Sequence, residues 1–231
     1  MDKWTERTAL LLGDNQVNKL KCSKVAVFGL GGVGSFTVEA LARAGIGHIA
    51  LIDKDCVDET NINRQLIALR STIGKLKTDV MAERIQDICP DIIVEKMSFF
   101  YNEETSSQIN LSQYDCIVDA IDTMRSKIEL VARAYSLGIH VVSCMGAGNR
   151  LNPTSFEVAD IYQTSVCPVA RLMRRALRDR GVDHLRVVYS KEIPIPVAAK
   201  VAVQTELTEQ THADHHPKSP LGSISFVPAS A

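Results

Sequence analysis

The chain has 231 residues, with 26 Lys and Arg against 27 Asp and Glu, so its formal net charge is −1. Hydrophobic residues make up 45% and charged residues 23%, which excludes disorder as the main state and gives enough length to bury a core without disulfides or metals. Bulk charge gives no attraction for a polyanion, so such a partner has to be met by a local basic patch. The six cysteines, Cys22, Cys56, Cys89, Cys116, Cys144 and Cys167, include no CxxC pair. That argues against a zinc knuckle and suits reduced thiols in a cytoplasmic protein. The opening Met1-Asp-Lys-Trp-Thr-Glu-Arg7 has no apolar signal stretch, and the longest uncharged apolar run, 25–38, holds four glycines and is too short for a bilayer. No membrane association is expected.

In chain order the pattern alternates strand and helix. Val25, Ala26, Val27 and Phe28 form a short apolar run of the kind buried on both faces of a parallel sheet. A glycine cluster comes next, then a helix over 34–44 with Phe36, Ala40, Leu41 and Ala44 on one face, and a second strand over 48–52 that ends in Asp53. A polar stretch leads to a helix over 75–88, closed by Pro90, and a third strand over 92–94. Strand 116–119, helix 126–137 and strand 140–144 continue the alternation. Weaker signals suggest a strand over 156–161, a helix over 169–180 and a strand over 185–189. The expected fold is α/β, a Rossmann-like doubly wound, mostly parallel sheet with helices on both faces and ligands at the carboxyl ends of the strands. Residues 1–192 read as one domain with an N-terminal helical arm, and 193–231 as a loop with the start of a C-terminal segment.

Gly29-Leu-Gly31-Gly32-Val-Gly34 fits G-x-G-x-x-G between a strand and a helix, where phosphate can approach the backbone at a helix N-terminus. Asp53, 24 residues after Gly29, sits where a carboxylate can hold ribose hydroxyls. NAD and ATP both satisfy these features. The residues beyond the second strand separate them. Asp53, Asp55, Asn61, Arg64 and Gln65 crowd one loop, Lys77 begins the next helix, and Asp122 lies just past the fourth strand. Two cations and a metal-binding acid suit a triphosphate with Mg²⁺ and exceed what a dinucleotide needs.

These residues resemble the ATP-dependent enzymes of the ubiquitin-activating-enzyme superfamily. A finer resemblance, to the tRNA threonylcarbamoyladenosine dehydratases, rests on Gly31-Gly-Val-Gly-Ser35, Asn61-Ile-Asn-Arg-Gln65, Val118-Asp-Ala-Ile-Asp122 and Ser143-Cys-Met-Gly-Ala-Gly148. It extends to about residue 192 through the stretches around Cys167-Pro168 and Val188-Tyr-Ser-Lys-Glu192. The sulfur-carrier adenylyltransferases of the superfamily usually carry two CxxC pairs, and this chain has none. The resemblance implies that Gly29, Gly31, Gly32, Gly34 and Asp53 hold phosphates and ribose. It implies that Asn61, Arg64 and Lys77 grip the triphosphate, with Asp55 and Gln65 in the same nucleotide site, and that Asp122 binds Mg²⁺. Arg7 matches an arginine lent to the partner subunit's ATP, which makes a homodimer the expected active form. Family members continue past Phe226 into a further helix, so the chain reads as shortened relative to them.

The implied reaction is ATP-dependent cyclisation of threonylcarbamoyladenosine beside the tRNA anticodon through an acyl adenylate. The alternative is adenylation of the C-terminus of a ubiquitin-like sulfur carrier, with a sulfur-transfer protein as partner. An NAD-dependent oxidoreductase leaves Arg64, Lys77 and Asp122 idle. A basic patch for tRNA is expected on the helix after Cys167, where Arg171, Arg174, Arg175 and Arg178 share the face opposite the apolar stripe. Cys167, at that helix's N-terminus, is either a low-pKa thiol or an idle buried one, and the idle reading is favoured. Cys144 reads as core. His212, His215 and His216 are weak candidates for a metal.

Overall fold

The computed structural model describes residues 3–196 and 221–231. The three histidines at 212–216 lie outside the described residues. Strand β1 (Lys24–Phe28) is buried along four of its five residues, as a continuous apolar run predicts. It pairs in parallel with β2 (His48–Ile52) on one side and with β4 (Cys116–Asp119) on the other. With β3 (Ile93–Met97), β5 (His140–Cys144), β6 (Phe156–Asp160) and β7 (Arg186–Ser190), the sheet order is β3-β2-β1-β4-β5-β7-β6. Only β6 runs antiparallel, against β7. The order reverses between β1 and β4, and such a switch point leaves a crevice outside the carboxyl ends of the strands.

The period-2 alternation of β1 and β2 sends their side chains to two cores. Val25, Val27, Ile49 and Leu51 pack with Val38 and Ala42 of helix α3 (Gly34–Ala44) and with Met81 and Ile85 of α4 (Lys77–Ile88). Ala26, Phe28, Ala50 and Ile52 face the other way, with Leu130 and Ala134 of α5 (Met124–Ser136). A third cluster joins Val131 of α5, Met173 and Leu177 of α6 (Pro168–Arg178), and Val187 and Tyr189 of β7. Each fully buried Val, Leu, Ile, Phe or Met side chain among them contributes about 1.5–3 kcal/mol. The N-terminal arm is two short helices, α1 (Glu6–Leu12) and α2 (Asp14–Cys22), broken at Gly13. Among the described residues, no helix is long and apolar enough to cross a membrane.

Two helix starts differ from expectation. The helix expected from 75 begins at Lys77, because Leu76 bridges Cys56 and the Lys75 carbonyl accepts the Val57 amide at 2.8 Å. The helix expected from 126 begins at Met124, with the Thr123 carbonyl already accepting the Lys127 amide at 3.0 Å.

On the outer surface, α3 and α4 are tied by Glu39, which receives Arg84 Nε at 2.6 Å and Nη2 at 3.0 Å, and Arg43 Nε at 2.7 Å. Burial pushes the Glu39 carboxyl up, but the Arg84 and Arg43 guanidiniums outweigh that and hold it below the usual carboxylate range. A depressed folded-state value means that the contribution is present above the unfolded carboxyl's pKa and is lost as pH falls through the folded one. Glu39→Gln should therefore lower stability at neutral pH by about 1 kcal/mol in urea unfolding. The difference from the parent should close in acid.

Candidate active site

The turn after β1 is built by steric necessity. A Cβ on Gly34 would lie 1.8 Å from the Gly29 carbonyl oxygen, and one on Gly29 would lie 2.6 Å from the Ala120 carbonyl. Gly29 also has φ +88°, a left-handed conformation open to glycine at little cost. The turn is thus pressed against the loop after β4, at the switch point, and opens directly into the N-terminus of α3. Backbone amides and the helix dipole there favour an anionic group.

Asp53, at the tip of β2, clamps this turn. Its Oδ2 accepts the Leu30 amide at 2.7 Å and its Oδ1 accepts the Asp55 amide at 2.8 Å. A carboxylate has about four acceptor positions, so capacity for hydroxyls remains. The loop beyond is braced by a capping box: Asn61 Oδ1 accepts the Asp58 amide at 3.2 Å, and Asp58 Oδ1 accepts the Thr60 amide at 2.8 Å. The Thr60 hydroxyl and amide hold the Asp58 carboxyl below its ordinary range. Asn61 is thus occupied through its oxygen, and its amide nitrogen has only a 3.5 Å contact with the Thr60 hydroxyl.

The cations of this loop are partly committed. Arg64 Nη1 donates to the Thr60 carbonyl and to Asn63 Oδ1, both at 2.9 Å, and the rest of its fork has no protein acceptor among the described residues. Arg64 Cγ stands 3.4 Å from the position a Cβ would take on Gly32, so its stem lies on the glycine turn. Lys77, the first residue of α4, is buried, and its ammonium meets the exposed Asp55 Oδ2 at 3.2 Å. A buried ammonium with one carboxylate at its mouth favours a further anion. Gln65 is buried, its Nε2 stands 3.9 Å from the Cβ position of Gly31, and its Oε1 has no hydrogen-bond partner among the described residues.

Asp122 is exposed in the loop from β4 to α5, and one of its oxygens accepts the Thr123 hydroxyl at 3.2 Å. The glycine turn, the loop after β2 and the loop after β4 therefore meet at one edge of the sheet. Arg7 is elsewhere. Trp4 and Thr5, just ahead of α1, lie against Gly45 at the far end of α3. That helix has eleven residues, so its far end is about 16 Å from the glycine turn.

Sequence patterns did not single out two further features. Beneath the β4 tip, Lys127 Nζ lies 2.8 Å from Asp119 Oδ2, and the Ser143 hydroxyl donates to the same oxygen at 2.5 Å. The other Asp119 oxygen accepts the Ile121 amide at 3.2 Å, which holds the loop carrying Asp122. Residues eight apart across a strand–helix junction leave no recognisable motif. The second feature is the segment 221–231, which crosses the mouth of the site. Pro228 stands 3.1 Å from a Cβ on Gly32, Asn63 Nδ2 donates to the Ser223 carbonyl at 3.0 Å, and Gly222 exchanges two hydrogen bonds with Asn149.

The expected arginine face on α6 needs correction. Arg174 is half-buried and donates to the Thr164 carbonyl at 3.0 Å and to the Thr164 hydroxyl. It secures the loop before α6. Arg178 lies over the Tyr162 ring at 5.5 Å. Arg171 and Arg175 remain exposed without a protein partner among the described residues.

A model of the ThiF family matches residues 5–184. The chain belongs to the ThiF family. It is 43% identical over 226 residues to the tRNA threonylcarbamoyladenosine dehydratase of Bacillus subtilis, covering 97% of this chain and 88% of that one. It is also similar to a solved structure, Escherichia coli tRNA N6-threonylcarbamoyladenosine dehydratase TcdA in complex with ATP. The identity is 33% and the TM-score 0.83, covering 100% of this chain and 90% of the other; the complex of TcdA with AMP gives 0.84. A match to the adenylyltransferase and sulfurtransferase UBA4 of Vanderwaltozyma polyspora is 35% identical but spans 57% of this chain and 30% of that protein. The mostly parallel α/β sheet agrees with the structural match to TcdA.

Cysteine placement bears on whether this ThiF-family chain uses a thiol. Cys89, Cys144 and Cys167 are buried, whereas Cys22 and Cys56 are exposed. Burial pushes the Cys144 thiol up to about 12. Native protein treated with iodoacetamide near pH 8 should be alkylated at Cys22 and Cys56, with Cys144 and Cys167 modified only after unfolding. Rapid native alkylation of Cys167, read by peptide mass spectrometry, would mark it as a reactive thiol.

Proposed function

We propose that this ThiF-family chain is an ATP-dependent tRNA threonylcarbamoyladenosine dehydratase, cyclising the modified adenosine through an acyl adenylate. What supports the reading is the glycine turn at the switch point, with the Arg64 stem against Gly32 and the backbone two residues before Asp122 against Gly29. Similarity over nearly the whole chain to a Bacillus subtilis dehydratase and to ATP- and AMP-bound TcdA supports it. The Gln65 Oε1, unpartnered among the described residues, and the open space at Gly31 fit a bound nucleotide.

The threonyl carboxylate is a poor electrophile. Its oxygen attacks the α-phosphorus of ATP, the bond to pyrophosphate breaks, and an acyl adenylate forms. The carbamoyl nitrogen of the same nucleoside then attacks the activated carbonyl, losing its proton to solvent. The carbon–oxygen bond breaks, and the original carboxylate oxygen departs in AMP. Ring closure is intramolecular, so holding the chain bent supplies much of the acceleration. Arg64 and Lys77 neutralise charge that grows on the phosphates, and the amides of the glycine turn orient them.

Mg²⁺ would be held by Asp122, where its chemistry is to offset phosphate charge. Among the described residues no group of three or more His, Cys, Asp or Glu is placed to hold a metal. A single carboxylate fits Mg²⁺, which usually binds through one or two carboxylates plus substrate phosphates and water. Arg7, in α1, acts on the second subunit of a homodimer. The sulfur-carrier alternative has the shorter UBA4 match and lacks the cysteine pairs.

Pyrophosphate exchange into ATP should require tRNA bearing threonylcarbamoyladenosine and should not respond to a ubiquitin-like carrier. Exchange driven by the carrier instead would select the alternative. Asp122→Ala should lower tRNA-dependent turnover by about 10²-fold or more. Mixing inactive Arg7→Ala and Asp122→Ala proteins should restore about a quarter of parental activity, because half of random dimers then contain one intact shared site. No recovery would place Arg7 outside the site.

A further inference from the structure

Helices α5 and α6 leave an open trough of about 350 Å³ between them, lined by Met124, Ile128, Leu172, Arg175, Ala176 and Asp179. The volume falls within the range of small-ligand pockets, about 300–1,000 Å³. Its floor is apolar: Met124 and Ile128 lie one turn apart on α5, and Leu172 and Ala176 one turn apart on α6. Leu172 is 55% exposed, although it sits one residue from Met173, which is fully buried in the core.

Arg175 lines the trough, and Arg125 and Arg171 adjoin lining residues in sequence. Arg125, Arg171 and Arg175 lie at the surface, and none makes an ion pair or hydrogen bond with the described protein. Asp179 is the single carboxylate on the lining. Arg174 and Arg178, by contrast, are tied down by Thr164 and Tyr162. The unpaired arginines of α6 are therefore fewer than its sequence suggests, and of them Arg175 borders the apolar floor. The trough also begins beside the chemistry, since Met124 is two residues after Asp122.

We propose that this trough seats an unpaired nucleobase of the tRNA anticodon loop, next to the reacting nucleoside, with Arg171 and Arg175 on the flanking phosphates. This rests on the tRNA-dehydratase reading of the site. Loop RNA matches both parts of the surface. Splayed bases bury flat apolar faces and stack on guanidinium planes, while their phosphates pair with arginine. A protein partner of acidic character would satisfy the arginines but would need a larger apolar counterpart than the trough offers. A base in this position fixes the register of the loop, so that the threonyl carboxylate is presented at the strand tips.

The test uses the full chain and a fluorescent anticodon stem-loop RNA carrying threonylcarbamoyladenosine, with affinity read by anisotropy across a salt series. Replacing both Arg171 and Arg175 by Ala should flatten the slope of log affinity against log salt by about 1.4, the value for two single-strand phosphate contacts. Leu172→Asp should weaken binding by about tenfold. Both variants alter surface positions, and ATP affinity and sedimentation mass should match the parent. If the parent cyclises the RNA while both variants bind it with parental affinity and slope, the trough is not the RNA seat and the dehydratase reading stands. If the variants change the oligomeric mass, the trough is a surface between copies and the proposal fails. If the parent binds no RNA, both the proposal and the reading beneath it fall.

Discussion

Backbone packed on backbone at the switch point underlies the rest of the structure. Gly34 lies against the Gly29 carbonyl, Gly29 lies against the Ala120 carbonyl, and a methyl group at either place would overlap those oxygens. This contact sets the distance between the tips of β1 and β4. It also brings the amides at the start of α3 to the crevice between them. Asp53 adds the third tip, since its carboxylate bonds both the glycine turn and the loop after β2. Side chains distant in sequence reach one place because the three strand ends are held by short, directional contacts.

Charge is handled differently at two depths. Asp119 and Lys127, 0% and 3% exposed, form a buried pair whose desolvation is costly, and the pair is retained with the Ser143 hydroxyl and the Ile121 amide satisfying the carboxylate. Loss of one partner would leave an uncompensated charge under the loop that carries Asp122. At the site itself, the half-buried Arg64 and the buried Lys77 keep donor capacity. The inner pair braces the frame, and the other two cations are the ones proposed to meet the phosphates. The segment 221–231 adds a strap across three of the loops, through Gly222, Ser223 and Pro228.

Much of this was legible in the sequence, for physical reasons. Apolar runs such as 25–28 and 48–52 have one stable solution, a strand covered on both faces, and the glycine spacing identified the turn after the first. Helix starts at Lys77 and Met124 were less legible, because bridging by Leu76 and the extended Thr123 cap depend on neighbours far along the chain. Arg174 illustrates the limit. Helical periodicity places it on the polar face, yet a long guanidinium can fold back onto the carbonyl of Thr164, and here it does. The Asp119–Lys127–Ser143 cluster required the three-dimensional register of β4, β5 and α5. Gln65 was visible as part of a motif, but its unpaired buried oxygen was not.

In the proposed reaction a carboxylate is activated at the α-phosphorus of ATP. The most direct test of this step is transfer of a heavy-oxygen label from the threonyl carboxylate of the tRNA-borne nucleoside. The account predicts that the label leaves in AMP, one atom per cyclised nucleoside. Label in pyrophosphate or inorganic phosphate, or cyclisation without labelled AMP, would contradict it.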